Sequence, residues 1–115
     1  MISKFKAMGF NEEIPFELSL SASTYDDDDK IDSDIQLADT GYGQGQLLVN
    51  PVHLLSMYSM FVNNGSMIQP VLAYQEGYTG QIWKEQVVSA AAAETVKNDL
   101  IQVIENPSGT GASAK

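Results

Sequence analysis

Residues 37–65 read LADTGYGQGQLLVNPVHLLSMYSMFVNNG, a glycine-rich segment followed by the clearest helix pattern of the chain. In its second half, Asn50 can cap a helix and Pro51 suits the first helical position. The apolar residues that follow recur on one face. The pattern predicts a helix of about 13 residues that ends at Asn63-Asn64-Gly65. His53 lies in its first turn, and without a nearby Cys, Asp or second His we interpret it as a packing or hydrogen-bonding residue.

The first half of this stretch is rich in glycine. Glycines stand at alternate positions from Gly41 to Gly45, which predicts a tight loop. The spacing is G-x-G-x-G rather than the G-x-G-x-x-G of a dinucleotide site, and no Gly-Lys-Ser/Thr of a Walker motif follows. We therefore assign the loop a structural role.

On the C-terminal side the sequence predicts a β-hairpin and a second helix. Extended runs from Met67 to Tyr74 and from Gln81 to Val88 flank a loop that contains glycine, and Tyr74 and Trp83 are expected to pack across the hairpin. Ser89 then caps a helix that runs to Glu105 and is closed by Pro107. Two main helices around a β-hairpin make the predicted fold class α+β.

On the N-terminal side, Ile2, Phe5 and Met8 recur at helical spacing before Gly9, which predicts a helix of about two turns. Residues 11–23 are irregular and read as loop or short strand. Residues 24–34 read as an acidic surface loop, because like charges repel one another and stay solvated. Residues 108–115 hold Gly, Ser and Ala and read as a flexible tail. The whole of residues 1–115 is expected to be a single partial domain.

Composition narrows the function. The 115 residues include six Lys, no Arg and 15 acidic residues, for a net charge of −9. A chain without Arg and with isolated Lys has no patch to displace phosphate counterions, so we predict no nucleic-acid partner. The absence of Cys excludes disulfides and thiol catalysis. No stretch reads as a signal peptide or a membrane span, so any membrane anchor is expected outside this chain.

The acidic loop leaves two further readings open. Asp26 to Lys30 spell the recognition sequence of enteropeptidase, and the segment is either native or engineered. Calcium is the other reading, although the segment lacks the Gly and Glu that an EF-hand loop needs. A stand-alone acidic module that binds a cation or a basic protein is therefore the alternative function.

The order of these features is similar to that of a known family. Residues 37–45 and 49–55, then Asn63-Asn64-Gly65 and Gln69-Pro70, resemble the transpeptidase domain of class B penicillin-binding proteins, closest to the low-affinity proteins of Gram-positive bacteria. A weaker likeness at Met8-Gly9-Phe10 and after Ser89 extends it along the chain. The resemblance implies a part of the serine β-lactamase and D,D-peptidase fold.

The family's chemistry rests on three motifs: S-x-x-K, S-x-N or S-D-N, and K-T-G or K-S-G. Ser3-Lys4-Phe5-Lys6 spells the first, but the resemblance places this segment downstream of the first two motifs, so we interpret the match as coincidence. Ser33-Asp34-Ile35 lacks the Asn of the second, and Gly109-Thr110-Gly111 lacks the Lys of the third. The resemblance implies an internal piece between the second and third motifs, inactive alone and with no catalytic residue, cofactor or metal.

The resemblance also implies partners and a location. The parent would be a peptidoglycan D,D-transpeptidase that β-lactams acylate, anchored in the cytoplasmic membrane and working on its extracellular face. This chain would contact the rest of the transpeptidase domain, and would reach the stem peptide and β-lactams through the parent alone. An isolated piece is expected to expose apolar faces, which favours a homo-oligomer or a swapped dimer.

Overall fold

In the described part of the chain, three helices precede a small two-stranded sheet, and a longer helix and a 3₁₀ helix follow it. The structure is a computed structural model that describes residues 1–28 and 30–114. The elements are α1 (Ile2–Ala7), α2 (Asp34–Gly41), α3 (Pro51–Ser59), β1 (Met67–Ile68), β2 (Ile82–Lys84), α4 (Ala90–Glu105) and a 3₁₀ helix (Ala112–Ala114). Strands β1 and β2 pair antiparallel. The predicted α+β class is confirmed at this level.

Helix α3 begins where the sequence predicts. The Asn50 side chain accepts a hydrogen bond from the Val52 N–H at 2.9 Å, and Pro51 takes the first turn. The helix ends at Ser59, after nine residues, which is earlier than predicted. Turns occupy the rest of the predicted span, and at their end Gly65 has a φ of +91° and donates its N–H to Met60 O. The Gly65 stop is thus correct, but it closes turns rather than helix.

The β-hairpin is real but shorter than predicted. Helix α3 occupies the outer edge of β1, since the Ser56 hydroxyl donates to Ile68 O and the Ile68 N–H donates to Ser59 Oγ at 2.8 Å. Pro70 has no N–H to continue the ladder. Tyr74 is 89% exposed, so the prediction that it packs across the hairpin is wrong.

Helix α4 is confirmed at both ends, with Ser89 Oγ accepting from the Ala92 N–H at 3.2 Å. Its buried residue is Ala93. Large apolar side chains on the same helix, Val96, Ile101 and Val103, are 36–44% exposed. The helix therefore carries an apolar surface that this chain leaves uncovered.

Helix α2 is absent from the sequence predictions. Ser33 accepts a hydrogen bond from the Gln36 N–H at 3.1 Å, and Asp34 opens the helix rather than closing an acidic loop. The expected surface loop also differs at its start, because Tyr25 and Asp26 are buried. Asp27, Asp28 and Lys30 are exposed. Asp29 lies outside the described residues.

The two chain ends fold back on their neighbours. Helix α1 ends at Ala7 and Gly9 follows with a φ of +87°, as its predicted role requires. Near the C-terminus, the Gly111 N–H donates to Val103 O at 3.0 Å, so the predicted tail turns back on the end of α4. The flexibility of residues 108–114 stays a prediction, and Lys115 lies outside the described residues.

The core lies between α1, α3 and the hairpin. Its buried members are Phe10, Tyr25, Met57, Met60, Met67 and Val87. The chain exposes 7631 Å², whereas a compact monomer of its 12.5 kDa mass would expose about 6,200 Å². Its radius of gyration is 15.7 Å, against about 13 Å for a compact domain of this size. The chain therefore has one modest core and an unusually large uncovered surface.

Candidate functional site

His53 is one of the fully buried polar residues in the described part of the chain. Its side chain is fully buried, and both ring nitrogens have a partner at 2.7 Å: Nδ1 meets Ser23 Oγ and Nε2 meets the Met8 carbonyl oxygen. Ser23 Oγ also accepts from the Asn50 N–H at 2.9 Å. We call Met8, Ser23 and His53 the His53 joint, because they connect the end of α1, the segment before the acidic residues, and α3.

The hydrogen bonds of the joint fix its tautomer. The Met8 carbonyl can only accept, so the imidazole carries its proton on Nε2, and Nδ1 accepts from the Ser23 hydroxyl. Burial lowers the pKa of His53 below its ordinary 6.5, against smaller opposing effects of the Met8 carbonyl and Glu12. The prediction of a packing and hydrogen-bonding role is confirmed.

Aromatic rings enclose the joint on two sides. Ring centroids of Phe10 and Trp83 lie 5.2 and 5.0 Å from that of His53. The Trp83 ring also lies over Gly9, where a Cβ atom would come within 2.8 Å of Trp83 Cζ2. Trp83 thus packs on the N-terminal segment and on His53.

The acidic segment uses its first carboxylate internally. Asp26 Oδ1 accepts from the Asp28 N–H at 2.9 Å, and Asp26 Oδ2 accepts from the Gln36 side chain. Interactions with the Asp28 side chain and with the Asp28 backbone N–H, followed by the hydrogen bond from Gln36, lower the pKa of Asp26. Among the described residues no three His, Cys, Asp or Glu side chains are grouped to hold a metal ion. Asp26 therefore serves as an anchor between this segment and α2.

The residues that resemble the three catalytic motifs belong to a helix, a helix cap and a turn. Ser3 is an exposed residue of α1, and Ser33 is the N-cap of α2. At Gly109 a Cβ atom would lie 2.2 Å from Val103 O, because the chain turns tightly over the end of α4. Ser3 and Ser33 line one open cleft of about 410 Å³ between α1 and the start of α2, and residues 109–111 do not contribute to its lining.

The glycine loop is mostly exposed. Residues 41–46 lie at the surface, and Gly43 and Gly45 have φ values of +82° and +72°. The Tyr42 hydroxyl donates to Asp39 Oδ1 at 2.7 Å, and this contact raises the pKa of Tyr42. The contact between Tyr42 and Asp39 stabilises the start of the loop.

An apolar groove lies between α3 and the start of the hairpin. Its volume is about 390 Å³, and the residues that line it include Leu55, Tyr58, Val62, Ile68 and Pro70. Leu55 and Val62 are among the most exposed large apolar residues of the chain. The groove is therefore an uncovered apolar surface in addition to that of α4.

The described residues thus present uncovered apolar faces and the buried His53 joint, and comparison with known proteins identifies the family of the chain. The pattern of the family described as "Penicillin binding protein transpeptidase domain" matches residues 1–115, the whole chain. The chain belongs to the penicillin-binding protein transpeptidase family. It is also 41% identical to Penicillin-binding protein 3 of Bacillus subtilis over 105 residues.

That alignment covers 91% of this chain and 16% of the Bacillus protein. The chain therefore corresponds to about a sixth of that penicillin-binding protein. Within the described residues, no helix combines the length and apolar character needed to cross a bilayer.

Sequence reasoning missed two parts of this transpeptidase segment. Helix α2 had a readable signal, since Ser33 and Gln36 stand at the positions of a capping box. The partnership of Ser23 with His53 had none, because 30 residues separate them. The uncovered apolar surfaces of α4 and of the groove beside α3 were predicted only in general terms, as a property of a partial domain.

Proposed function

We propose that this chain is the part of a class B penicillin-binding protein that lies between the second and third catalytic motifs of the transpeptidase domain. The parent would then cross-link peptidoglycan as a D,D-transpeptidase and be acylated by β-lactams at a serine outside this chain. The observation that carries the proposal is the family match over the whole chain, combined with its 16% coverage of the Bacillus relative.

The chain alone is proposed to be inactive toward β-lactams. A serine nucleophile needs an adjacent base and a preformed oxyanion hole. Ser3 lies on an exposed face of α1, and Ser33 is engaged as a helix cap. Neither position has the enclosed, converging donors that acylation requires.

Incubation with a fluorescent penicillin tests this proposal. We expect no covalent adduct on the 115-residue chain, and an adduct on a penicillin-binding protein that contains all three motifs under the same conditions. The matched variant is Ser3→Ala. An adduct on the unsubstituted 115-residue chain that disappears in Ser3→Ala would show that the S-x-x-K match is functional and would overturn the proposal.

The rest of the transpeptidase domain is the proposed partner. The exposed apolar residues of α4 and the groove beside α3 are the faces it would cover. An isolated chain with these faces open is expected to self-associate, as a homo-oligomer or a swapped dimer. Sedimentation over a wide concentration range tests this corollary, and a strictly monomeric profile would contradict it.

Location and drug response are proposed for the parent. By analogy with the low-affinity proteins of Gram-positive bacteria, the parent would be membrane-anchored with this segment on the extracellular face, and slow to react with β-lactams. The acylation rate of the parent, measured against a high-affinity penicillin-binding protein, tests the second point. Equal rates would remove the low-affinity assignment.

The acidic binding module stays a prediction. Asp26 is already engaged by Asp28 and Gln36, and the exposed carboxylates described in residues 24–34 are those of Asp27, Asp28, Asp32 and Asp34. Calorimetry with millimolar calcium tests it, since a ligand that binds the folded chain must raise the thermal midpoint. Absence of both heat and a midpoint shift would remove this alternative.

A further inference from the structure

His53 is a buried titratable group that the proposed role of the segment does not use. Its two nitrogens hold two separate parts of the chain, Met8 at the end of α1 and Ser23 before the acidic residues. Because α3 carries His53, both parts are joined to a helix that contributes Met57 to the core. A change in the imidazole would therefore act on three segments at once.

The donors and acceptors of the His53 joint match the neutral imidazole and not the protonated one. The Asn50 N–H donates to Ser23 Oγ, the Ser23 hydroxyl donates to His53 Nδ1, and the His53 Nε2–H donates to Met8 O. A second proton on Nδ1 would point at the Ser23 hydroxyl, which is fully buried. That hydroxyl would have to turn its own proton away from its present acceptor, and an unpaired buried donor is costly.

The charged groups around the imidazole do little to favour the cation. Glu12, after α1, and Lys84, on β2, face it, and their side chains pair with each other at 2.5 Å. The segment before α2 presents the Ser23 hydroxyl, and α3 itself has no charged residue. The rings of Phe10 and Trp83 fill the remaining sides. The faces of these rings attract a cation, but they also keep water out.

We propose that the His53 joint is a proton-sensitive connection, which holds α1 and the Ser23 segment on α3 while the imidazole is neutral and releases them when it is protonated. Since the folded pKa lies below the ordinary 6.5, the unfolded chain takes up the proton first as the pH falls. The stabilisation is therefore complete above pH 6.5 and is lost as the pH falls through and below that value.

The chain is well suited to a direct test, because His53 is its single histidine. An NMR titration of the imidazole in the intact 115-residue chain reads its pKa without assignment ambiguity. We expect a midpoint below 6.5 and, at neutral pH, the nitrogen shifts of the Nε2–H tautomer. A midpoint at or above 6.5, which a solvated imidazole would give, overturns the proposal.

A stability series supplies the second measurement. Urea unfolding midpoints are compared between about pH 7.5 and about pH 5.5, a range in which histidine is the side chain that ordinarily titrates. The control is His53→Gln, whose amide can donate to Met8 O but does not titrate. We expect the midpoint of the natural chain to fall with pH and that of the variant to stay level. Equal pH dependence in the two chains overturns the proposal, and so does a natural chain without any.

Discussion

Gly65 is the position where a single added methyl group should cost most. Its φ is +91°, and an added Cβ would lie 2.0 Å from the carbonyl oxygen of Val88, a backbone atom without rotamer freedom. The same Val88 donates its N–H to Gly65 O at 3.3 Å. In Gly65→Ala, the chain before α4 must therefore move away from the turns that follow α3.

The magnitude follows from three contributions. The left-handed backbone costs an alanine about 1–2 kcal/mol. Relief of the overlap by backbone movement costs about 1–3 kcal/mol, as overpacked sites generally do. Loss of the Val88 hydrogen bond adds about 1 kcal/mol. The expected loss is about 3–6 kcal/mol, a large share of the roughly 5–15 kcal/mol by which domains are stable.

Gly77 provides the matched control. Its φ is +81°, but a Cβ there would meet nothing within 4 Å. Gly77→Ala should therefore lose only the backbone contribution of about 1–2 kcal/mol. In urea unfolding with a slope of about 1.5 kcal/mol per M, the Gly65→Ala midpoint should fall by about 2 M or more. Equal losses in the two variants would refute the argument from the Val88 contact.

Three further outcomes are expected. Asn50→Ala should cost about 1–2 kcal/mol in thermal or urea unfolding, since it removes the N-cap of α3; a loss below that of the exposed cap variant Ser89→Ala would contradict this. Trp83→Ala should lower stability by about 2–4 kcal/mol, whereas Tyr74→Ala, at an 89% exposed residue, should change it by no more than about 0.5 kcal/mol. Because the pKa of Asp26 is lowered in the folded chain, its contribution to folding stability is complete above pH 3.8 and is lost as the pH falls below that value. Asp26→Asn should therefore reduce the loss of stability that unfolding measurements show below pH 3.8. An unchanged loss in the variant would contradict this role of Asp26.

Local signals made the helix starts predictable, and distant contacts made the rest unpredictable. Asn50 and Ser89 cap their helices with bonds to residues two or three positions away, so the sequence nearby contains the whole signal. Helix α2 has such a signal as well, but its apolar residues are exposed, with Ile35 at 75%, and the periodicity that usually reveals a helix is weak.

The strand lengths and the His53 joint depend on contacts across the fold. The edge of β1 is satisfied by Ser56 and Ser59 of α3, and no pattern within residues 67–74 announces this. The bonds of His53 reach back 30 residues to Ser23 and 45 to Met8. The sequence could indicate that His53 packs and hydrogen-bonds, but only the folded chain identifies its partners.

These separations also set an order of events during folding. Closing a loop the length of that between Met8 and His53 costs about 3 kcal/mol of chain entropy, apart from a constant, before any contact is gained. Helix α4 needs no such closure, because each of its bonds joins neighbours along the chain, and helices of this kind relax within about a microsecond. A chain leaving the ribosome would therefore release α1 long before the His53 donor on α3 exists. Trp83, the single tryptophan, emerges later still and lies directly on the completed joint, so its fluorescence would record the moment of closure.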